Sequence, residues 1–194
     1  MSQLSYQTAG ESHGPALLAT IVGMPASVPI DLDFINAELE RRQGGYGRGG
    51  RQNIETDRAE VLSGIRLGKS IGSPITLRIP NRDSRLDDTT RTPPVHTPRP
   101  GHADLAGSIK YLTTDCRETL ERASARETAA RVAAGALARC LLKQFDIEAF
   151  GFVRSIHQAR TNVAITAEHL ARHKADRDAS DTYCPDPAAT SAQH

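Results

Sequence analysis

The stretch SARETAARVAAGALARCLLKQF, residues 124–145, constrains the fold more than any other part of the chain. Val132, Ala136, Leu137, Cys140 and Leu141 make an apolar stripe at the 3.6-residue period of a helix. Ala129, Ala133, Gly135 and Ala136 are small, so a neighbouring element can come close to the helix axis. Ser124 and Glu127 predict a capping box, in which the hydroxyl takes the amide of the third helical residue and the glutamate reaches back. The chain has no Trp and only 4% aromatic residues, so the core around this helix must be aliphatic.

The other elements are read from shorter signals. ALLATIVGMP, 16–25, is an apolar run closed by Gly-Met-Pro and predicts a buried strand. IDLDFINAELERRQGG follows as a helix, capped by Asp31 or Asp33, with Leu32, Ile35 and Leu39 on one face and Gly44-Gly45 as its stop. GGYGRGGRQ, 44–52, is too rich in glycine for regular structure. AEVLSGIRLG, 59–68, and GSPITLRIPN, 72–81, predict two strands joined through a glycine-containing turn. Residues 82–104 form a long loop with proline and charge throughout, and a loop of that length is usually functional or disordered. AFGFVRSI, 149–156, predicts the start of another strand. The pattern then fades, leaving one weak helix and a polar, proline-containing end in 158–194.

Composition excludes several function classes. A chain of 194 residues suits one domain or part of a larger one. With 24% charged residues and a formal net charge of +1, bulk electrostatic binding to nucleic acid or membrane is not expected. Cys116, Cys140 and Cys184 match no metal or redox spacing, and a sparse, odd count suggests reduced thiols in the cytoplasm. There is no signal-peptide pattern and no apolar run of the ~18 residues that a membrane span needs. No P-loop and no G-x-G-x-x-G between strand and helix is present. HAD and HTP lack the partners of a zinc site, so no metal is expected. GGYGRGG looks like an RGG segment, but it occurs once, between a helix and a strand. An RNA-binding reading of 44–52 would require strongly salt-dependent affinity.

Two short stretches carry candidate chemistry. AGESHG, 9–14, sets Glu11, Ser12 and His13 between glycines near a strand start, and RPGHAD, 99–104, sets His102 after another glycine. Imidazole titrates near neutral pH, so the pair could serve as two proton donors or acceptors; the bland alternative is polar surface. Arg42, Arg48 and Arg51 surround the glycine loop, Arg99 precedes His102, and Arg122 and Arg126 flank the start of the long helix. They are either a solvated basic surface or local sites for carboxylate and phosphate, which guanidinium matches with paired hydrogen bonds. The helix start at Ser124 adds unpaired amides and a positive dipole end.

GESHG (10–14), RRQGGYGRGGRQNIETDRAEVLSG (41–64), RPGHAD (99–104) and RASARETAARVAAGALAR (122–139), in that order, resemble chorismate synthase over about residues 4–157. The resemblance implies an α/β (α+β) fold, a β-α-β sandwich incomplete at the C-terminus, with 1–157 as the N-terminal part of one domain and 158–194 as a tail. It implies a lyase that converts 5-enolpyruvylshikimate 3-phosphate to chorismate and phosphate by a 1,4-elimination that needs reduced FMN. NADPH is the reductant in some members, and the usual assembly is a homotetramer. By matching positions, Ser12, Arg42, Arg48 and Arg99 would bind substrate and His13 would act on the leaving phosphate. His102 would act at the flavin, and Arg122, Ala123 and Ser124 would contact it. Family members continue with a second half that supplies further flavin contacts and a catalytic Asp. Nothing in this chain matches that half, so the alternative is a catalytically incomplete fragment or an assembly module.

Overall fold

A computed structural model describes residues 3–47, 49 and 54–194. Strand β1 (Ser5–Ala9) turns through GESHG into β2 (Ala16–Val22), with Ala9 opposite Leu18. Helix α1 (Leu32–Gln43) follows, then β3 (Glu60–Ser63), the small hairpin β4 (Ile65–Arg66) and β5 (Lys69–Ser70), and β6 (Ile75–Pro80). The main sheet is antiparallel, in the order β1-β2-β6-β3, with an irregularity in β3 between Val61 and Ser63. The long loop predicted at 82–104 leads to α2 (Asp104–Tyr111), α3 (Arg117–Arg122) and α4 (Thr128–Leu142).

Alternation along the strands decides which face is covered. Leu17, Ala19 and Ile21 of β2 and Ile75, Leu77 and Ile79 of β6 all point to one buried face. Against it lie α1, through Ile35 and Leu39, and α4, through Ala129, Ala130, Ala133, Ala134, Ala136 and Leu137. Each fully buried Leu or Ile contributes about 1.5–3 kcal/mol, while the alanines contribute chiefly by letting α4 approach. Asp31 caps α1 by accepting the Phe34 amide at 2.9 Å. The mixed α/β class is as the sequence implies, with one four-stranded sheet, two small two-stranded sheets and a helical layer formed by the described residues.

Three local expectations change. The helix expected over 124–145 is α4 with a 3-10 turn at each end, Ala125–Glu127 and Lys143–Phe145. Its capping box is only half made. Ser124 accepts the Arg126 amide at 3.3 Å, but Glu127 turns to Thr8 Oγ1 at 2.6 Å and Arg131 Nε at 2.6 Å. Of the strand expected at 149–156, only Ser155–Ile156 (β7) pairs, with Ala159–Arg160 (β8). The Val153 amide instead donates to the Tyr183 carbonyl. The last segment holds two helices rather than one, α5 (Leu170–Ala179) and α6 (Pro187–Gln193). Its interior is polar: Thr161 donates to Asp186, and Thr182 to Gln193, both at 2.8 Å. Hydrophobic periodicity is blind to such packing.

Candidate active site

The GESHG turn is shaped from both sides. Gly10 adopts φ +98°, and a Cβ there would stand 2.2 Å from the Ala16 carbonyl oxygen, so only glycine closes this hairpin. Asn81, directly after β6, donates its amide nitrogen to the carbonyls of Glu11 (3.1 Å), Ser12 (3.2 Å) and Gly14 (2.7 Å). Glu121, near the end of α3, clamps the other side. Its carbonyl takes the Ser12 amide at 3.0 Å, and its carboxylate takes the His13 amide at 3.0 Å and lies 2.8 Å from His13 Nδ1. That carboxylate is fully buried and also accepts from Arg117 at 3.2 Å. The far nitrogen of the ring, Nε2, faces the long loop, with Arg85 Nη2 at 3.3 Å and Asp83 Oδ2 at 3.5 Å.

A buried ion network ties this turn to the helical layer. Asp57 joins Arg42 (2.6 Å) to Arg126 (2.5 Å), and Arg126 Nε donates to Asn81 Oδ1 at 2.8 Å. Arg42 thus reaches the His13 turn through three intervening side chains, with its guanidinium paired to a buried carboxylate. Losing one partner of such a buried pair costs about 3–5 kcal/mol, so the network fixes geometry firmly.

His102 sits on a second buried carboxylate. Asp104, the first residue of α2, lies 2.6 Å from His102 Nδ1. It also accepts from the Arg99 amide (3.1 Å), Nε (2.9 Å) and Nη2 (3.2 Å). The Arg99 side chain beside it, then the Arg99 amide and His102, hold the Asp104 carboxyl far below the usual carboxylate range against the opposing effect of burial. Arg99 is correspondingly raised, chiefly by its hydrogen bond to Asp104. Helices α2 and α3 set the two carboxylates relative to each other. Gly107 packs so tightly on Thr119 that a Cβ would lie 2.2 Å from its Oγ1.

Arg122, Ala123 and Ser124 follow Glu121 directly. Arg122 Nη2 donates to the carbonyl and hydroxyl of Thr8, both at 2.8 Å. Its Nη1 is buried without a hydrogen-bond partner, 3.7 Å from Glu127. Ala123 is exposed, and the Ser124 hydroxyl donates to Ser12 at 3.1 Å.

The structure therefore brings together Ser12, His13, Arg122, Ala123 and Ser124 around Glu121, links Arg42 to them through Asp57, and joins Arg99 to His102 through Asp104. Arg48 and Arg51 lie outside the described residues. Sequence reasoning missed Glu121, Asp104, Asp57 and Asn81. The only local signal was the H-x-D spacing of His102 and Asp104; the others become neighbours only on folding. A cavity of about 590 Å³ lies elsewhere, lined by Ile30, Phe34, Cys140 and Ile147, and contains none of the predicted site residues. Burial pushes the Cys140 thiol up.

Comparison with known proteins bears on the whole chain. The family profile described as chorismate synthase matches residues 4–194, through the segment that the sequence motifs leave unassigned. The chorismate synthase of Desulforamulus reducens is 52% identical over 200 residues, covering 97% of this chain and 51% of that protein. That of Thermoanaerobacter pseudethanolicus is 62% identical over 144 residues, covering 74% and 41%. A crystal structure of chorismate synthase superposes with a TM-score of 0.78 at 40% identity, over 98% of this chain and 51% of that one. The chain spans about half the length of the relatives it matches. It belongs to the chorismate synthase family.

Proposed function

We propose that these residues form the N-terminal half of a site that eliminates phosphate from 5-enolpyruvylshikimate 3-phosphate to give chorismate, in aromatic amino acid biosynthesis. The observation that carries this reading is the pair of histidines, each braced at Nδ1 by a buried carboxylate and each set beside arginines. A substrate with two carboxylates and one phosphate needs that cationic surround. Ser12, Arg42, Arg48 and Arg99 bind it, with Arg42 and Arg99 shared between the substrate and their buried carboxylates. His13 gives a proton to the departing phosphate oxygen as the C–O bond breaks. The electron pair of a ring C–H bond closes the new double bond, and that proton would leave to a base on the cofactor side of the site.

The buried Arg122 Nη1, which makes no hydrogen bond and pairs with Glu127 only at 3.7 Å, fits an anionic cofactor such as FMN, and Arg122, Ala123 and Ser124 are the residues that would hold it. Reduced FMN, when bound, supplies an electron-rich ring that stabilises positive charge developing on the substrate carbon. His102 holds a proton at Nε2 toward that side, and NADPH is the proposed reductant of the flavin. The working assembly is a homotetramer.

The test is anaerobic chorismate formation with reduced FMN and the substrate, alongside FMN binding by fluorescence. The 194 residues alone are expected to bind FMN weakly and to form no chorismate. Co-expression with the C-terminal half of a close relative is expected to restore both. Failure of the assembled halves to form chorismate would overturn the assignment and favour an assembly module.

A further inference from the structure

Two histidines from different loops turn the same ring nitrogen to a buried carboxylate. His13 Nδ1 lies 2.8 and 3.0 Å from the two oxygens of Glu121. His102 Nδ1 lies 2.6 Å from Asp104 Oδ1. Neither carboxylate side chain has any exposed surface, and each is held in place by an arginine, Arg117 for Glu121 and Arg99 for Asp104. An acceptor so fixed calls for a hydrogen on the nitrogen facing it. At His13 a separate contact agrees. Arg85 Nη2, which can only donate, stands 3.3 Å from Nε2, so the neutral ring must offer its lone pair there. Asp83 Oδ2, at 3.5 Å from the same nitrogen, provides an acceptor when Nε2 is protonated.

We propose that Glu121 and Asp104 are positioning residues that lock His13 and His102 in the Nδ1–H tautomer, making Nε2 of each ring the nitrogen that exchanges a proton with the ligand. An unconstrained neutral imidazole side chain prefers the opposite tautomer, with the hydrogen on Nε2, and an oriented carboxylate at Nδ1 reverses that preference. The proton balance is simple. The doubly protonated His13 ring gives its Nε2 hydrogen to an oxygen of the departing phosphate and is left neutral, still carrying Nδ1–H. The lone pair freed on Nε2 then accepts from Arg85 in place of the contact to Asp83. No electrons leave the ring, and Glu121 gains no proton. This rests on the reading of the two histidines as the proton-handling groups.

The test needs no turnover. The 194-residue chain is labelled with ¹⁵N-histidine, and long-range ¹H–¹⁵N spectra are recorded at alkaline pH, where the rings are neutral. Single His→Gln variants assign the seven histidines. His13 and His102 are expected to show a protonated Nδ1 and a lone-pair Nε2. Asp104→Ala, and Glu121→Ala combined with Arg85→Ala so that no donor holds the lone pair at His13 Nε2, should return their own ring, and only that ring, to a majority Nε2–H form. Glu121→Gln and Asp104→Asn, whose carboxamide oxygens can still accept, should largely keep the wild-type pattern. Wild-type rings in the Nε2–H form overturn the proposal, and this reading needs no variant to fold. Alanine variants that keep native circular dichroism and an unchanged tautomer overturn it too. Because the readout is spectroscopic, failure here leaves the elimination chemistry standing, and failure of the elimination assay leaves the tautomers as measured.

Discussion

Asp104 is the residue on which two candidate site groups converge, and its chemistry sets a pH window. Its folded-state carboxyl is depressed, so its contribution to stability is present above the unfolded value of about 3.9 and is lost as pH falls through the folded value. Wild-type protein should therefore exceed Asp104→Asn in urea midpoint down to about pH 5, with the difference shrinking below about pH 4. Urea titrations across that range check this, and a difference that stays constant from about pH 5 down to about pH 2 would show that the Asp104 charge is not what stabilises the fold. The same residue scale shows why arginines are ambiguous in a sequence. In the sequence Arg42 and Arg99 read as ligands for external anions, and in the fold each pairs with a buried carboxylate of the chain itself.

At the scale of elements, the crossing of α2 and α3 determines how far apart the two histidine clamps stand. Asp104 opens α2, Glu121 lies next to the end of α3, and Gly107 meets Thr119 between them. Gly107→Ala places a Cβ 2.2 Å from Thr119 Oγ1 and 2.7 Å from its Cβ. Overpacking of this kind costs about 1–3 kcal/mol, even though alanine is the better helix former. Thr119→Ala in the same chain should recover part of the loss and not all, because the Thr119 Cβ itself is too close. Chemical denaturation of the two single variants and the double variant checks this, and simple additivity would show that the crossing is not rigid.

Across the whole molecule, α4 and α1 are covered by the sheet, whereas α2 is not covered on its outer side. Leu105, Ile109 and Leu112 follow one another at helical spacing and are 59%, 67% and 92% exposed. Contiguous apolar surface of this kind marks an interface or an aggregation hazard. The chain should bind a hydrophobic dye while retaining native circular dichroism, and Leu105→Ser with Ile109→Ser should reduce the dye fluorescence several-fold without lowering stability. Unchanged fluorescence would place the dye in the cavity between Phe34 and Ile147. The final segment is joined to the rest through Tyr183, whose hydroxyl donates to the Arg41 carbonyl at 2.7 Å, and through the Tyr46 amide on the Asp181 carbonyl. In this way residues near position 183 brace the start of the glycine-rich loop.

The elements whose stability rests on repetition were legible in the chain itself. β2, α1, β6 and most of α4 carry apolar residues at strand or helix period, and any fold of this chain must bury them. His13 and His102 stood out because glycine and unusual local chemistry surround them. Asp104 stands two residues from His102, but Glu121 lies 108 residues from His13 and Asp57 lies 69 residues from Arg126, and only packing brings such pairs together. The polar interior of 158–194, held by Thr161, Thr182 and their acceptors, is likewise silent in sequence. Hydrogen bonds between distant side chains leave no periodic trace. Sequence determined where the apolar layers and the imidazoles lie, and tertiary structure alone decided that Glu121 holds the His13 ring and which nitrogen each ring leaves outward.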